Sequence, residues 1–254
     1  MLRQRVIPVL LLRNGGLVKT VRFSDPRYVG DPLNAIRIFN EKEVDELLVL
    51  DIMASRSRHG PDFAMLAQFA TECFMPFCYG GGITTIEEAE QLFTLGVEKI
   101  SLQTATASNL DLVTQIARRF GSQAVVASLD IKTGWRRDYR LYWSATGATE
   151  KDWQGHLRRV IDAGAGEVVL NAVDRDGTMQ GVDTTLIRMA ADIVDVPLVA
   201  LGGVGKLEHI KDAILAGASA VAAGSFFVFH GKHRAVLITY PSYGTLEALL
   251  SFDR

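Results

Sequence analysis

Tyr79–Ala105 reads YGGGITTIEEAEQLFTLGVEKISLQTA, and the same pattern returns at Leu201–Phe227 as LGGVGKLEHIKDAILAGASAVAAGSFF. Each copy opens on an apolar strand that ends in a glycine pair, Gly81–Gly82 in the first and Gly202–Gly203 in the second. A helical pattern follows, then a glycine turn at Gly96 or Gly217. A second strand then closes on small polar residues, Thr104 in one copy and Gly224–Ser225 in the other. Glycine lets backbone N–H groups approach an anion closely, and the next helix adds the positive end of its dipole. Two such cradles in one chain imply a ligand with a phosphate at each end. One loop of this kind carries little weight, whereas a pair at matched offsets carries much.

Working outward, apolar runs alternate with helical patterns along the whole chain. The spacing predicts strands at Val6–Leu12, Glu46–Asp51, Phe77–Tyr79, Lys99–Leu102, Ala124–Asp130, Glu167–Asn171, Pro197–Leu201 and Ala220–Ala223. Helices are predicted at Pro32–Lys42, Asp62–Glu72, Ile86–Leu95, Asn109–Phe120, Asp152–Ala163, Thr184–Val194, Leu207–Ala216 and Thr245–Phe252. Strands that are nearly continuous Val, Ile and Leu belong to a parallel sheet covered by helices. An open doubly wound sheet is the competing architecture. The strict alternation and the internal duplication favour an α/β fold of the closed (β/α)8 TIM barrel type, built from two half-barrels and covering residues 1–254 as a single domain. The duplication reaches beyond the cradles: ELLVLD at Glu46 matches EVVLN at Glu167, and RVIPVLLLRNGG lines up with QAVVASLDIKTG, which sets Leu11 against Asp130.

The bulk properties bound the rest. A chain of 254 residues with 48% hydrophobic and 22% charged content can bury a large core. A net charge of −2 makes no electrostatic case for nucleic acid or an anionic membrane. Cys73 and Cys78 are the two cysteines, and none of the five histidines (His59, His156, His209, His230, His233) has metal-ligand spacing. No metal and no cofactor is expected. The start, MLRQRVIPVLLLRNGG, is basic and then apolar, but too short to span a bilayer and without a small-residue cleavage site, so it reads as a buried strand of a cytoplasmic protein.

In such a barrel, chemistry belongs at the C-terminal ends of the strands. Asp130 closes the fifth strand among apolar residues, where desolvation raises a carboxylate toward general acid or base use. Capping a backbone N–H is the structural alternative. Its symmetry mate is Leu11, which can neither move a proton nor steer a cation. Lys19, in the Gly-rich loop NGGLVK, is as fit for clamping a phosphate as for facing solvent. Asp51 and Asp176 are expected to close strands two and six. Asp176-Gly177-Thr178 is both a turn signal and a candidate ligand to substrate hydroxyls. Trp135, Trp143 and Trp153 mark an aromatic excursion after Asp130, read as a hairpin. At the opposite face, Arg5, Glu46, Lys99 and Glu167 each start a strand. Two cations and two anions at one level can form an alternating ring across the barrel floor; from the residues alone, four unrelated edge charges is the better reading.

Taken together, these residues resemble the HisF family, the cyclase subunit of imidazole glycerol phosphate synthase. The resemblance runs from Met1 to about His230 through RVIP, DELLVLDI, GGGI, EKIS, GSQAVV, GAGEVVLN, DRDGT, GGVGK and AAGS. It implies a (β/α)8 barrel with a HisH-like glutaminase docked at the floor and ammonia passing through the barrel to a phosphorylated small molecule at the top. It places the second catalytic aspartate on Asp130 and the substrate-contacting lysine on Lys19. Phosphate sites fall on Gly82 and Thr104 in one half, and on Gly177, Gly203, Gly224 and Ser225 in the other. The ammonia gate falls on Arg5, Glu46, Lys99 and Glu167, which turns the ring into the better reading, and Glu98 is suited to meeting the partner.

The chain departs from the family pattern in three places. Leu11 stands where the first catalytic aspartate is expected, Gln103 replaces an asparagine, and the ending LITYPSYGTLEALLSFDR differs. Keeping the gate and cradles while losing one acid resembles the HisF-like paralogues that work with a glutaminase and a separate amidotransferase. Those systems convert an acetamido to an acetamidino group on a surface-polysaccharide sugar. The alternatives are an authentic histidine-pathway cyclase, set back because losing one member of an acid–base pair lowers the rate by about 10²–10⁴-fold, and a non-catalytic scaffold that activates a glutaminase.

Overall fold

The structure, a computed structural model, describes residues 4–251. Eight parallel strands close into a barrel: β1 (Arg5–Arg13), β2 (Leu47–Asp51), β3 (Phe77–Gly80), β4 (Lys99–Leu102), β5 (Val125–Thr133), β6 (Glu167–Ala172), β7 (Leu198–Leu201) and β8 (Ala220–Ala223). Each pairs with the next, and β8 returns to β1 with Arg5 opposite Ala220 and Pro8 opposite Ala223, so the sheet has no open edge. The open-sheet alternative is thereby excluded.

The outer ring consists of α1 (Pro32–Glu41), α2 (Phe63–Glu72), α3 (Ile86–Thr94), α4 (Leu110–Phe120), α5 (Trp153–Asp162), α6 (Thr184–Ala191), α7 (Leu207–Leu215) and α8 (Tyr243–Leu250). Most start on a side-chain cap: Asp31, Asp62, Asn109, Asp152, Asp183 and Ser242 each accept a backbone N–H of the first turn. Thr85 and Glu88 form a full capping box at α3. At α7 the position before the helix is Lys206, and the His209 imidazole takes the Gly205 N–H instead, at 3.1 Å. The predicted helices all occur. The sixth ends at Ala191 rather than Val194, and the last begins two residues early; its predicted end at Phe252 lies outside the described residues.

Period-two alternation divides the core into two layers. One set of side chains packs between sheet and helices around Phe39, Phe69, Leu92, Ile116 and Leu157. The other fills the lumen: Ile7, Val9, Leu48, Cys78, Val126, Val169, Val199, Leu201, Ala220 and Ala222, with Leu11 and Leu50 packed against them.

Three local features differ from expectation. The supposed Gly-rich loop after β1 is an antiparallel hairpin, Gly16–Val21 with Ser24–Gly30, so Lys19 lies in a strand and is 4% exposed. β5 runs three residues past Asp130 before its own hairpin, Tyr139–Trp143 with Ala148–Glu150. β6 ends at Ala172, which leaves Asp176 in the following turn rather than on the strand. The divergent ending is anchored to the barrel. Leu237 and Thr239 N–H groups bond Val228 and Phe227 carbonyls, and the Tyr240 hydroxyl donates to Val6 O at 2.8 Å.

Candidate active site

At the C-terminal end of the barrel a cavity of about 350 Å³ reaches down to Val9, Ser101 and Val169. It gathers nine of the predicted positions: Leu11, Lys19, Gly81, Gly82, Thr104, Asp130, Asp176, Gly224 and Ser225. Gly177, Gly202 and Gly203 do not line it. Their part is in the backbone behind the wall: at Gly177 (φ +66°) a Cβ would come within 1.9 Å of Thr20 O, so this turn packs directly on the first hairpin. At Gly82 (φ +70°) a Cβ would meet Ala54 and Gly60 at 2.9 Å, which makes the first cradle a close junction of two loops.

Asp130 is 9% exposed on β5, and its Oδ1 accepts from Asn171 Nδ2 at 3.1 Å. Burial pushes its carboxyl up to about 7, against the Asn171 hydrogen bond and with a smaller push from Asp176. Lys19 reaches back from the hairpin to donate to Val9 O, and its Nζ lies beside Gly224. Burial lowers its ammonium to about 8, opposed by the Asp176 charge. Asp176 accepts from Thr20 Oγ1 at 2.9 Å and is itself raised by burial. Leu11 lies on β1 beside Leu50 and adds an apolar surface to the same cavity. Asp51, expected at the site, has its Oδ1 engaged by the Met53 and Ala54 N–H groups at 2.8 and 3.1 Å.

At the opposite end the four strand-start charges do meet. Arg5 bonds both Glu46 and Glu167, and Lys99 bonds Glu46 at 2.9 Å and Glu167 at 2.7 Å, closing an alternating ring. Both glutamates are buried, and their side chains are 6% and 5% exposed. Burial alone would lower the Arg5 and Lys99 pKa values, but the two carboxylates outweigh it and hold both above their ordinary range. Cys78 sits next to the ring in the lumen; burial first, then Glu46 and Glu167, pushes its thiol far up. Above that level the lumen is apolar except for the Ser101 and Ser128 hydroxyls, which bond each other at 2.7 Å.

Asn171 adds to the expected residues: among the described residues its buried Oδ1 has no hydrogen-bond partner, and it lies beside Gly202. A polar residue closing an otherwise apolar strand was the available signal. His156 is on α5 and buried: its Nε2 meets Thr106 Oγ1 at 3.0 Å and its ring stands edge-on to Trp143. Phe23 and Tyr142, from the two hairpins, approach across the mouth with ring centroids 6.1 Å apart.

Known proteins resemble the chain over nearly its whole length. A family model described as "Histidine biosynthesis protein" matches residues 5–234. The chain is 51% identical to "Putative imidazole glycerol phosphate synthase subunit hisF2" of Pseudomonas aeruginosa, covering 97% of this chain and 99% of that one. It is 47% identical to "Putative imidazole glycerol phosphate synthase subunit HisF" of Leptospira borgpetersenii, covering 98% and 99%. It is 39% identical to "Imidazole glycerol phosphate synthase subunit HisF" of a Thermotoga species, covering 90% of each.

Proposed function

The chain belongs to the histidine biosynthesis protein family, and to HisF within it, and from that premise we propose that it is an ammonia-delivering synthase subunit adapted away from cyclisation. In this reading a HisH-like glutaminase docks at the barrel floor. Ammonia enters through Arg5, Glu46, Lys99 and Glu167, rises through the lumen, and is used at the mouth for amidation of a surface-polysaccharide sugar by a separate amidotransferase. The whole chain acts as one barrel in the cytoplasm.

The observation that carries this reading is the vertical order of the barrel axis: a closed charge ring, then an apolar lumen, then Leu11 in the same cavity as Asp130. A neutral molecule crosses an apolar lumen at little cost, whereas an ammonium ion pays a heavy desolvation penalty there. The lumen therefore favours ammonia and retards both ammonium and bulk water. At the mouth, Asp130 can give or take one proton near neutral pH, and Lys19 places a positive charge at Gly224. Leu11 supplies no second acid. A ring closure that needs an acid–base pair across the barrel would run about 10²–10⁴-fold slower without it.

The test is turnover of the histidine-pathway two-phosphate substrate with saturating ammonium, comparing the protein with Leu11→Asp. An inactive native chain and an active variant support the change of role. Useful turnover by the native chain overturns it in favour of an authentic cyclase. Failure of both to bind phosphorylated ligands would favour a scaffold that only activates a glutaminase.

A further inference from the structure

Arg13 and Arg56 line the mouth and belong to neither glycine cradle. Arg13 ends β1, next to the Ile52 N–H that bonds Leu12 O, and is half-buried. Among the described residues no ion pair or side-chain hydrogen bond holds its guanidinium. Arg56 lies on the short helix Ala54–Ser57, which follows β2 and packs against Gly82. Its Nε and Nη2 both donate to Ser144 O, at 3.0 and 2.9 Å, across to the second hairpin. The Ser144 hydroxyl in turn lies 3.4 Å from Gln103 Oε1, which accepts from Thr104 Oγ1 at 3.0 Å. The guanidinium is thereby fixed over the first cradle.

A carbonyl is a neutral acceptor. It orients the Arg56 fork while leaving three of its five N–H donors and the whole charge unused. Among the described residues no carboxylate of the cavity is ion-paired to that guanidinium. Asp51 caps the short helix, Asp176 takes Thr20, and neither is ion-paired to Arg13 or Arg56. Both guanidiniums line one cavity, the half-buried Arg13 and the exposed Arg56 that Ser144 O orients, and each has the donor geometry to bind a planar or tetrahedral anion through paired hydrogen bonds.

We propose that Arg56 and Arg13 form a third anion subsite beside the first cradle, and that the substrate carries an additional negative group there, either a sugar carboxylate or a second phosphate in diphosphate linkage. This rests on reading the cavity as a sugar-phosphate site. Calorimetric titration with two matched pairs of probes separates the sources: glucose 1-phosphate against glucuronate 1-phosphate, and inorganic phosphate against pyrophosphate. The doubly anionic member of at least one pair should bind about tenfold tighter or better, because hydrogen bonds between charged partners are about twice as strong as neutral ones. A preference in the first pair alone assigns a carboxylate, in the second alone a diphosphate, and in both any second anion. Arg56→Gln should abolish the preference while leaving the simpler probe's affinity nearly unchanged; Arg13→Gln should weaken it, and Arg56→Lys should restore part of it. Equal affinity within both pairs, or a preference that survives both glutamine variants, overturns the subsite alone. If neither glucose 1-phosphate nor phosphate binds, the sugar-phosphate reading falls and the subsite with it.

Discussion

Glu167→Gln is the sharpest perturbation of the barrel floor. Glu167 serves two cations at once: Oε1 accepts from Arg5 Nη2, and Oε2 accepts from Lys99 Nζ at 2.7 Å. The amide keeps the shape but leaves two cations facing one anion, Glu46, with an N–H group turned toward a positive charge. Side-chain exposure is 5% at Glu167, 26% at Arg5 and 20% at Lys99, so solvent compensates only in part. Breaking a buried pair from one side costs about 3–5 kcal/mol. For a chain of this size that corresponds to a fall in Tm of roughly 6–20 °C. The functional readout is a ratio, which removes the stability effect: product formed from glutamine with the glutaminase present, divided by product formed from free ammonium at a temperature where the variant is folded. The ratio should fall, because a disordered ring no longer meters entry while the mouth still takes ammonium from solution. An equal fall in both activities would refute channelling through the ring, and an unchanged Tm would refute the energetic account of it.

Asp130→Asn should stabilise the protein above pH 7 and have little effect near pH 4. A carboxyl raised to about 7 in the fold, against about 3.9 unfolded, holds its proton only in the native state between those values, so stability falls as pH rises from about 4 to about 7, by up to about 4 kcal/mol, and levels off above; denaturant titrations at pH 4 and 8 that show no pH-dependent difference between the two proteins would refute this. Gly177→Ala should lower stability by several kcal/mol and loosen the first hairpin, because its Cβ would fall 1.9 Å from Thr20 O at a φ of +66°; an unchanged denaturation midpoint would show that the turn relaxes freely. Cys73, half-buried, should react with a small thiol reagent before Cys78, which is 2% exposed in the lumen; peptide mass mapping that finds Cys78 labelled first would contradict a closed floor.

The barrel was legible in the sequence because it depends on period and position; the ring needed the family resemblance as well, since from the residues alone four unrelated edge charges is the better reading. Runs such as VVLN and LVAL stand between capped helices, and Thr85–Glu88 announces its own helix start. Glu46, Lys99 and Glu167 precede their apolar runs by the same offset, so the closed sheet brings them together. The first excursion is half legible: Asn14-Gly15, both at positive φ, reverses β1 into Gly16–Val21, but the return turn carries no such mark. Two-residue turns favour Asn-Gly or Gly, yet this one uses Arg22 and Phe23, both left-handed at φ +53° and +62°. Lys19, between the two turns, is a strand residue whose ammonium bonds Val9 O and lies beside Gly224. Arg56 is a surface helix residue by any local rule; only the contact with Ser144, 88 positions away, turns it over the cradle.

The two half-barrels have diverged at matched points, and the divergence bears on what the mouth can do. β1 and β5 each run into an antiparallel hairpin, and the hairpins meet where Phe23 faces Tyr142. On the β5 side stands Asp130, and Lys132, which the duplication pairs with Arg13, turns outward over the Tyr142 ring, 5.2 Å from its centroid. On the β1 side the counterpart of Asp130 is Leu11, and Lys19, from the hairpin strand, turns inward beside Gly224. One half therefore supplies a proton-active group and the other a buried positive charge, with Asp176 acting electrostatically on both. An acid at about 7 and an ammonium at about 8 suit a site that holds an anion and manages one proton. They do not reproduce two opposed carboxylates. An acid at position 11 would add a further carboxylate to the cavity that Asp130 and Asp176 share, raising these two and the newcomer further. If the variant is to gain cyclisation, its activity should therefore appear at higher pH than that of an enzyme evolved with both acids in place.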